Sequence, residues 1–451
     1  MLRPHAHCGR GWLPHGLGAV NAVNHDSASR LNLFWNPVSD STMRVLLLSQ
    51  YFPPETGGTS NRMLSVAQGF QRNGHEVVVV AEKPNHPEGI IRPEYRGGLF
   101  EEREYEGIPV IYTWVRARPE KTFISRILFY VSFMITSVLG ALKARGSFDV
   151  VIASSPPLFV GLSGWAAARL KGARFVFDVR DIWPEVAVAM GELTNPVMIR
   201  VAEEIEAFIY SQADGITAVT DSFCEHISRV VGSGTPTQRV MNGTVPDVFD
   251  RPEARKPMRE ALGVEDDTFV VAYAGNVGLA QGLPHIINAA DHLADRDDIE
   301  IHIVGSGPVK EELVTLAREK ERGNVRFFDR VPLEEAAAHM AASDALLVPL
   351  GDNPIYRQFI PSKLFDSMAA GRPVLLSVDG EARDLLDEAN AGLSYPAENA
   401  HALADAICEL ADDRERAKDM GQAGRQFSRS ECTRREQADR LVNFVEQIVA
   451  G

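Results

Sequence analysis

The chain reads as an α/β protein made of two doubly wound, Rossmann-like domains facing each other across a cleft. Its 451 residues exceed what one hydrophobic core organises. Short apolar runs also recur in two series with helical stretches between them, the βαβ pattern of parallel sheets. The first series lies at 45–48, 77–80, 150–153, 175–177 and 216–219. The second lies at 269–274, 301–304, 325–328, 345–348 and 374–376. Turn residues crowd 231–236 and 242–247, which places the domain boundary near residue 250. Each sheet should carry a ligand crevice at the carboxyl ends of its strands.

Residues 1–42 mix Gly, His, Pro and Asn with no continuous apolar run, so they read as a disordered extension rather than a signal peptide. His5, His7 and Cys8 lack ordered partners for a built metal site. The cysteines Cys8, Cys224, Cys408 and Cys432 form no C-x-x-C pair, which argues against zinc or a disulfide framework and fits a reducing cytoplasm. Net charge of −15 excludes nucleic acid as a natural partner. That charge is uneven: 43–180 holds 17 Lys and Arg against 12 Asp and Glu, whereas 181–451 holds 26 against 47.

The first strand of the first domain ends in a loop containing Gly57 and Gly58, followed by a helix over 61–72. Glycines there either let a backbone approach a ligand or mark a flexible turn. A later strand delivers Asp178, Arg180, Asp181, Trp183 and Glu185 into one short loop, an unusual density of charge for scaffold. Two readings stand: Arg180 forms a structural ion pair with Asp181 or Glu185, or Asp181 or Glu185 orients an acceptor hydroxyl while Arg180 handles a phosphate.

In the second domain, Gly275, Asn276 and Gln281 follow one strand, Gly305 and Gly307 the next, and Arg330 and Val331 the one after. The richest stretch is 359–377. Pro361 and Ser362 suit the start of a helix, where free N–H groups attract anions, and Lys363 adds a full positive charge. Asp366 lies one turn deeper, placed to accept hydrogen bonds from a sugar hydroxyl, and Gly371 ends the helix before a buried strand. The acids at 295–298 precede a strand, and Asp178 with Asp181 is not a spaced D-x-D, so no resident metal and no cofactor are expected.

From about Met43 onward this order of features resembles the retaining GT-B glycosyltransferases of family 4, and within them the bacterial enzymes that extend lipid-linked surface polysaccharides. The resemblance implies a nucleotide-sugar donor bound by the second domain, 251–432, and a polyprenyl-diphosphate-linked saccharide acceptor bound by the first, 43–250. It further implies a last helix, 433–451, that crosses back to the first domain. The glycine loop at Gly57 and Gly58 would lie near the donor diphosphate and the acceptor. The loops at Gly305, Gly307, Arg330 and Val331 would cradle base and ribose. Two family glutamates fall on Gln358 and Asp366, and the family's Arg and Lys at the diphosphate fall on Asn276 and Gln281. The charge must then come from Lys363, Arg357, the helix end and backbone amides. Asp181, Glu185 and Lys363 are the catalytic candidates, with Arg180 and Trp183 on the acceptor side.

Residues 127–142 form a charge-free stretch, roughly 24 Å long as a helix and short of a roughly 30 Å hydrocarbon layer. Arg116, Arg118, Lys121, Arg126, Lys143 and Arg145 surround it against the single acid Glu120. It is either a buried helix of the first domain or one partly sunk in the cytoplasmic leaflet. The second reading makes the protein a cytoplasmic enzyme held peripherally on the inner face of the cell membrane. Two rival functions are a nucleotide-sugar 2-epimerase, which needs no acceptor, and a catalytically silent sugar-nucleotide-binding protein, made plausible by Asn276, Gln281, Gln358 and Asp366.

Overall fold

A computed structural model describes residues 42–86, 88–120 and 122–451. The extension read at 1–42, with His5, His7 and Cys8, lies outside the described residues apart from Thr42, as does Lys121.

The first sheet is formed by β1 (Arg44–Ser49), β2 (Glu76–Glu82), β3 (Phe100–Tyr105), β4 (Ile108–Thr113), β5 (Val150–Ser154), β6 (Arg174–Val179), β7 (Gly215–Ala218) and β8 (Thr237–Arg239). Its order is β3-β4-β2-β1-β5-β6-β7-β8, parallel except for the β3–β4 hairpin. The second sheet is formed by β9 (Phe269–Ala274), β10 (Ile299–Val304), β11 (Val325–Phe328), β12 (Ala345–Val348), β13 (Val374–Leu376) and β14 (Gly392–Ser394). Its order is β11-β10-β9-β12-β13-β14, all parallel. In each sheet the chain reverses its direction of growth beside the first strand, at β1/β5 and at β9/β12, and ligand crevices of open α/β sheets form outside such points.

All ten apolar runs are strands; nine lie inside their sheets, where both faces are covered, and β11 lies at an edge with Val325 buried. The four strands the apolar pattern did not reveal have local reasons. β3, β8 and β14 lie at sheet edges and carry polar or small residues, and Pro109 interrupts β4.

The helix Arg434–Ala450 lies against the helix Gly58–Arg72, so close that a Cβ on Gly69 would stand 2.9 Å from Ala438 Cβ. Its Leu441, Val442, Phe444 and Val445 join the core beneath β1 and β2. The two lobes also bond directly: Thr220 donates to the Gln358 carbonyl at 3.0 Å and the Ser222 N–H to Glu381 at 2.5 Å.

The apolar stretch is longer than expected. Its helix, Phe123–Lys143, has 21 residues and spans about 31 Å. By length and composition it could cross a membrane, but one face is committed to the protein. Phe133 and Ala141 are buried, Thr136 bonds Thr113 of β4 at 3.2 Å, and a Cβ on Gly140 would press on Val80 at 2.9 Å. The other face leaves Ile124, Leu128, Ile135, Leu139 and Leu142 exposed. The helix is therefore not fully buried. Folding also changes its charge surroundings: Glu192 takes Arg126 in a two-pronged pair and Glu102 takes Lys143 at 2.7 Å.

Candidate active site

The loops after β9, β10 and β11 are stacked on one another. Gly275 has φ +146° and Gly305 φ +143°, a region L side chains rarely enter. Gly275 donates its N–H to Val304 at 2.9 Å, Gly305 to Phe328 at 3.1 Å and Val277 to Ser306 at 3.0 Å, all to carbonyls. A Cβ on Gly305 would strike the Gly275 carbonyl, and one on Gly307 the Val277 carbonyl. Loop-on-loop packing alone thus requires these glycines. Gln281 is drawn into the same scaffold, its Oε1 accepting the Gly278 N–H at 3.1 Å. Asn276 is exposed, and its carbonyl accepts the Tyr273 hydroxyl at 2.5 Å.

The helix Ser362–Ala369 aims Lys363 at this stack. Its amine donates to the Tyr273 hydroxyl and stands 4.1 Å from the centre of that ring. A side chain on Gly275 would collide with Lys363 Cε and Nζ, so the glycine leaves the space the amine occupies. Burial brings the amine down to about 8, opposed by Asp366. Pro361 sits at the cap position and Ser362 is exposed in the first turn.

Asp366 does not stand free for a sugar hydroxyl. Its Oδ1 accepts the Thr244 hydroxyl at 2.6 Å, and burial pushes the carboxyl up to about 6, moderated by Thr244. Arg357 and Arg330 are exposed, Val331 is half-buried, and the Arg330 N–H reaches Ser306 Oγ at 3.3 Å.

On the first domain, Asp178 belongs to the scaffold. It is fully buried, pairs with Arg62 at 2.5 Å, and accepts from Ser154 at 2.7 Å and Thr217 at 2.8 Å. Arg180 forms no ion pair with Asp181 or Glu185 among the described residues; its Nε and Nη2 donate to Asn242 Oδ1 at 3.3 and 3.2 Å. The candidates read from one loop open into two cavities. Asp181 lines a cavity of about 130 Å³ with Tyr130 and Trp183, and burial raises its carboxyl. Trp183 packs against Phe159, ring centres 5.9 Å apart.

Glu185 instead lines a cavity of about 770 Å³ with Glu206, His226, Asn353 and Gln358, walled by both domains. Lys363 is not among its walls. His226 holds Glu206 at 3.0 Å and Glu185 at 3.7 Å, and Gln358 Oε1 is buried without a partner among the described residues. Gly57 and Gly58, at the start of the helix Gly58–Arg72, are exposed, and a Cβ on either would meet open space.

The sequence reading missed Arg62, Thr244, Arg434, and the pairing of His226 with Glu206. These sit on ordinary-looking helices or in a turn-rich segment, and their proximity is a product of topology. Tyr273 stands two residues before Gly275, but nothing local marks it as the seat of an amine from residue 363.

The stacked glycine loops, the lysine aimed at them and two facing Rossmann-like lobes define a glycosyltransferase of the GT-B class. Solved structures of this fold overlay almost the whole chain. Sucrose-phosphate synthase from Thermosynechococcus elongatus covers 90% of this chain and 99% of its own, with TM-score 0.70 and 19% identity. Anabaena HepE in complex with UDP-glucose covers 90% and 100%, with TM-score 0.65 and 15% identity. Residues 57–243 match the family model described as glycosyl transferase 4-like domain, and 254–427 the one described as glycosyl transferases group 1. Among relatives, the colanic acid biosynthesis glycosyl transferase WcaI of Escherichia coli K12 is 24% identical over 344 residues, 75% of this chain and 84% of its own. A GDP-mannose-dependent alpha-mannosyltransferase of Mycobacterium tuberculosis is 25% identical over 376 residues, 83% and 89%. The chain belongs to family 4 of the GT-B glycosyltransferases.

Proposed function

We propose that the protein moves a sugar from a nucleoside-diphosphate donor to a lipid-linked saccharide, a polyprenyl-diphosphate acceptor of cell-surface polysaccharide synthesis. Transfer proceeds with retention of anomeric configuration, without a bound metal, at the cytoplasmic face of the membrane. The observation that carries the reading is the Lys363 amine lodged between Tyr273 and Gly275 at the carboxyl end of β9. A donor whose diphosphate rests there has its leaving group beside a cation and the start of a helix. As the bond from the sugar's anomeric carbon to the phosphate oxygen breaks, charge grows on that oxygen, and the amine stabilises it. The acceptor hydroxyl forms the new bond on the same face and passes its proton to the departing phosphate oxygen, and the two lobes exclude water.

The cavity of about 770 Å³ suits the acceptor saccharide, since Glu185 and Gln358 offer hydroxyl acceptors from opposite lobes. Membrane contact is supported by the exposed row Leu128, Ile135, Leu139 and Leu142 with Arg116, Arg118 and Arg145 nearby in the chain.

The test is incubation of the purified chain with a panel of nucleotide sugars and a membrane lipid extract, reading released nucleotide by mass spectrometry. Lipid-dependent release supports the transferase. Conversion of the sugar nucleotide with no lipid present would instead establish the epimerase, and binding without turnover the silent protein.

A further inference from the structure

One five-residue segment between the lobes, 240–244, gathers three arginines from three separate elements. Arg62, on the helix Gly58–Arg72, donates to the Val240 carbonyl at 3.1 Å. Arg180, at the end of β6, donates twice to Asn242. Arg434, the first residue of the helix Arg434–Ala450, donates its backbone N–H to the Thr244 carbonyl at 2.8 Å. The Thr244 hydroxyl meanwhile holds Asp366, three residues beyond Lys363 on its helix.

The cations are unequally satisfied. Arg62 is committed to Asp178. Among the described residues, Arg180 has a buried Nη1 with no partner and makes no ion pair. The Arg434 guanidinium, half-buried, makes no ion pair or side-chain hydrogen bond among the described residues. Burial lowers both, Arg180 to about 10 against the opposing pull of Asp178 and Asp181, and Arg434 against that of Asp366. With Lys363, the three arginines share the region with Asp178, Asp181 and Asp366, and burial raises the carboxyls of Asp181 and Asp366. Sequestered guanidinium groups without a direct ion-pair partner are costly, and a planar fork of donors fits phosphoryl oxygens.

We infer that Arg180 and Arg434 together bind a phosphoryl group of the substrate between the lobes. The inference deepens the transferase reading and rests on it for the source of that group: the donor's diphosphate or the acceptor lipid's.

The test is calorimetric titration of the full chain with pyrophosphate, UDP, GDP and farnesyl diphosphate, for the native protein, Arg180→Gln and Arg434→Gln. Each substitution should weaken pyrophosphate binding at least tenfold, and Arg434→Lys should recover part of that loss. A loss confined to UDP or GDP assigns the group to the donor, and one confined to farnesyl diphosphate to the acceptor. Unfolding midpoints of the variants should equal or exceed the native value, since a buried charge has been removed. Native binding with both glutamine variants within twofold overturns the inference alone. No binding by the native chain overturns it as well, and lipid-dependent nucleotide release in the separate transfer assay then decides whether the transferase reading survives.

Discussion

Lys363 rests on the ring of Tyr273 and fills the space that the absent side chain of Gly275 leaves open. The contact holds the amine in a half-buried position where burial has lowered its proton affinity to about 8. In the proposed role, only the protonated amine can stabilise a departing diphosphate. With the native enzyme, kcat/KM for the nucleotide sugar should therefore fall as pH rises through about 8, since that ratio reports ionisations of the free enzyme. Lys363→Ala should remove this limb and lower kcat/KM at pH 7 at least tenfold. Turnover within a few-fold of native would sink the assignment.

Gly275→Ala tests the seat of that amine. The new methyl group must push Lys363 off Tyr273 and strain a φ of +146°. Donor binding, read by titration with the nucleoside diphosphate, should weaken about tenfold, with the far-UV circular dichroism of the native fold retained.

Asp366 gives stability a pH dependence of known sign. Its carboxyl is raised by burial from the ordinary 3.8 to about 6, so folding favours the protonated form. This stabilising contribution is complete below 3.8 and is lost as pH rises through about 6. Asp366→Asn should flatten that part of the profile, measured as thermal midpoint against pH between 4 and 7, roughly the span in which the two ionisations differ.

Asp178 and Arg62 are a buried pair, so removing one partner strands the other's charge. Asp178→Asn should destabilise the first domain by about 3–5 kcal/mol, read as an earlier urea transition. Adding Arg62→Met to that variant should restore part of the loss.

The membrane reading predicts that Leu128→Ser with Ile135→Ser and Leu139→Ser reduces flotation with anionic liposomes several-fold while leaving the unfolding midpoint close to native. These side chains are exposed. Phe133 is not a suitable probe, because it is wholly buried and its replacement by serine would damage the core. Equal partitioning of native and triple variant would count against membrane contact.

The legibility of this protein follows from what each feature depends on. Nine of the ten apolar strands were readable because a strand inside a parallel sheet is covered on both faces and must be a continuous apolar run, and βαβ alternation then fixes the architecture. Gly275, Gly305, Gly307 and Lys363 were readable because a tight strand-to-helix turn and a charged helix start are local requirements.

Other pairings arise between residues tens to hundreds of positions apart and leave no local trace. Whether Asp178 serves chemistry or scaffold depended on Arg62 arriving from another helix, and Asp366 was tied by a threonine from the segment between the lobes. Asp181 and Glu185, four residues apart, were sent into different cavities by the turn between them. The sequence by itself determined the two sheets, the crevice-forming ends of their strands and the lysine at one of them, since burial and turn geometry act over a few residues. Tertiary structure alone decided which charges are paired, which stay unsatisfied and which face one another across the lobes. Electrostatic neighbours are set by distance in space, and chain spacing does not encode it.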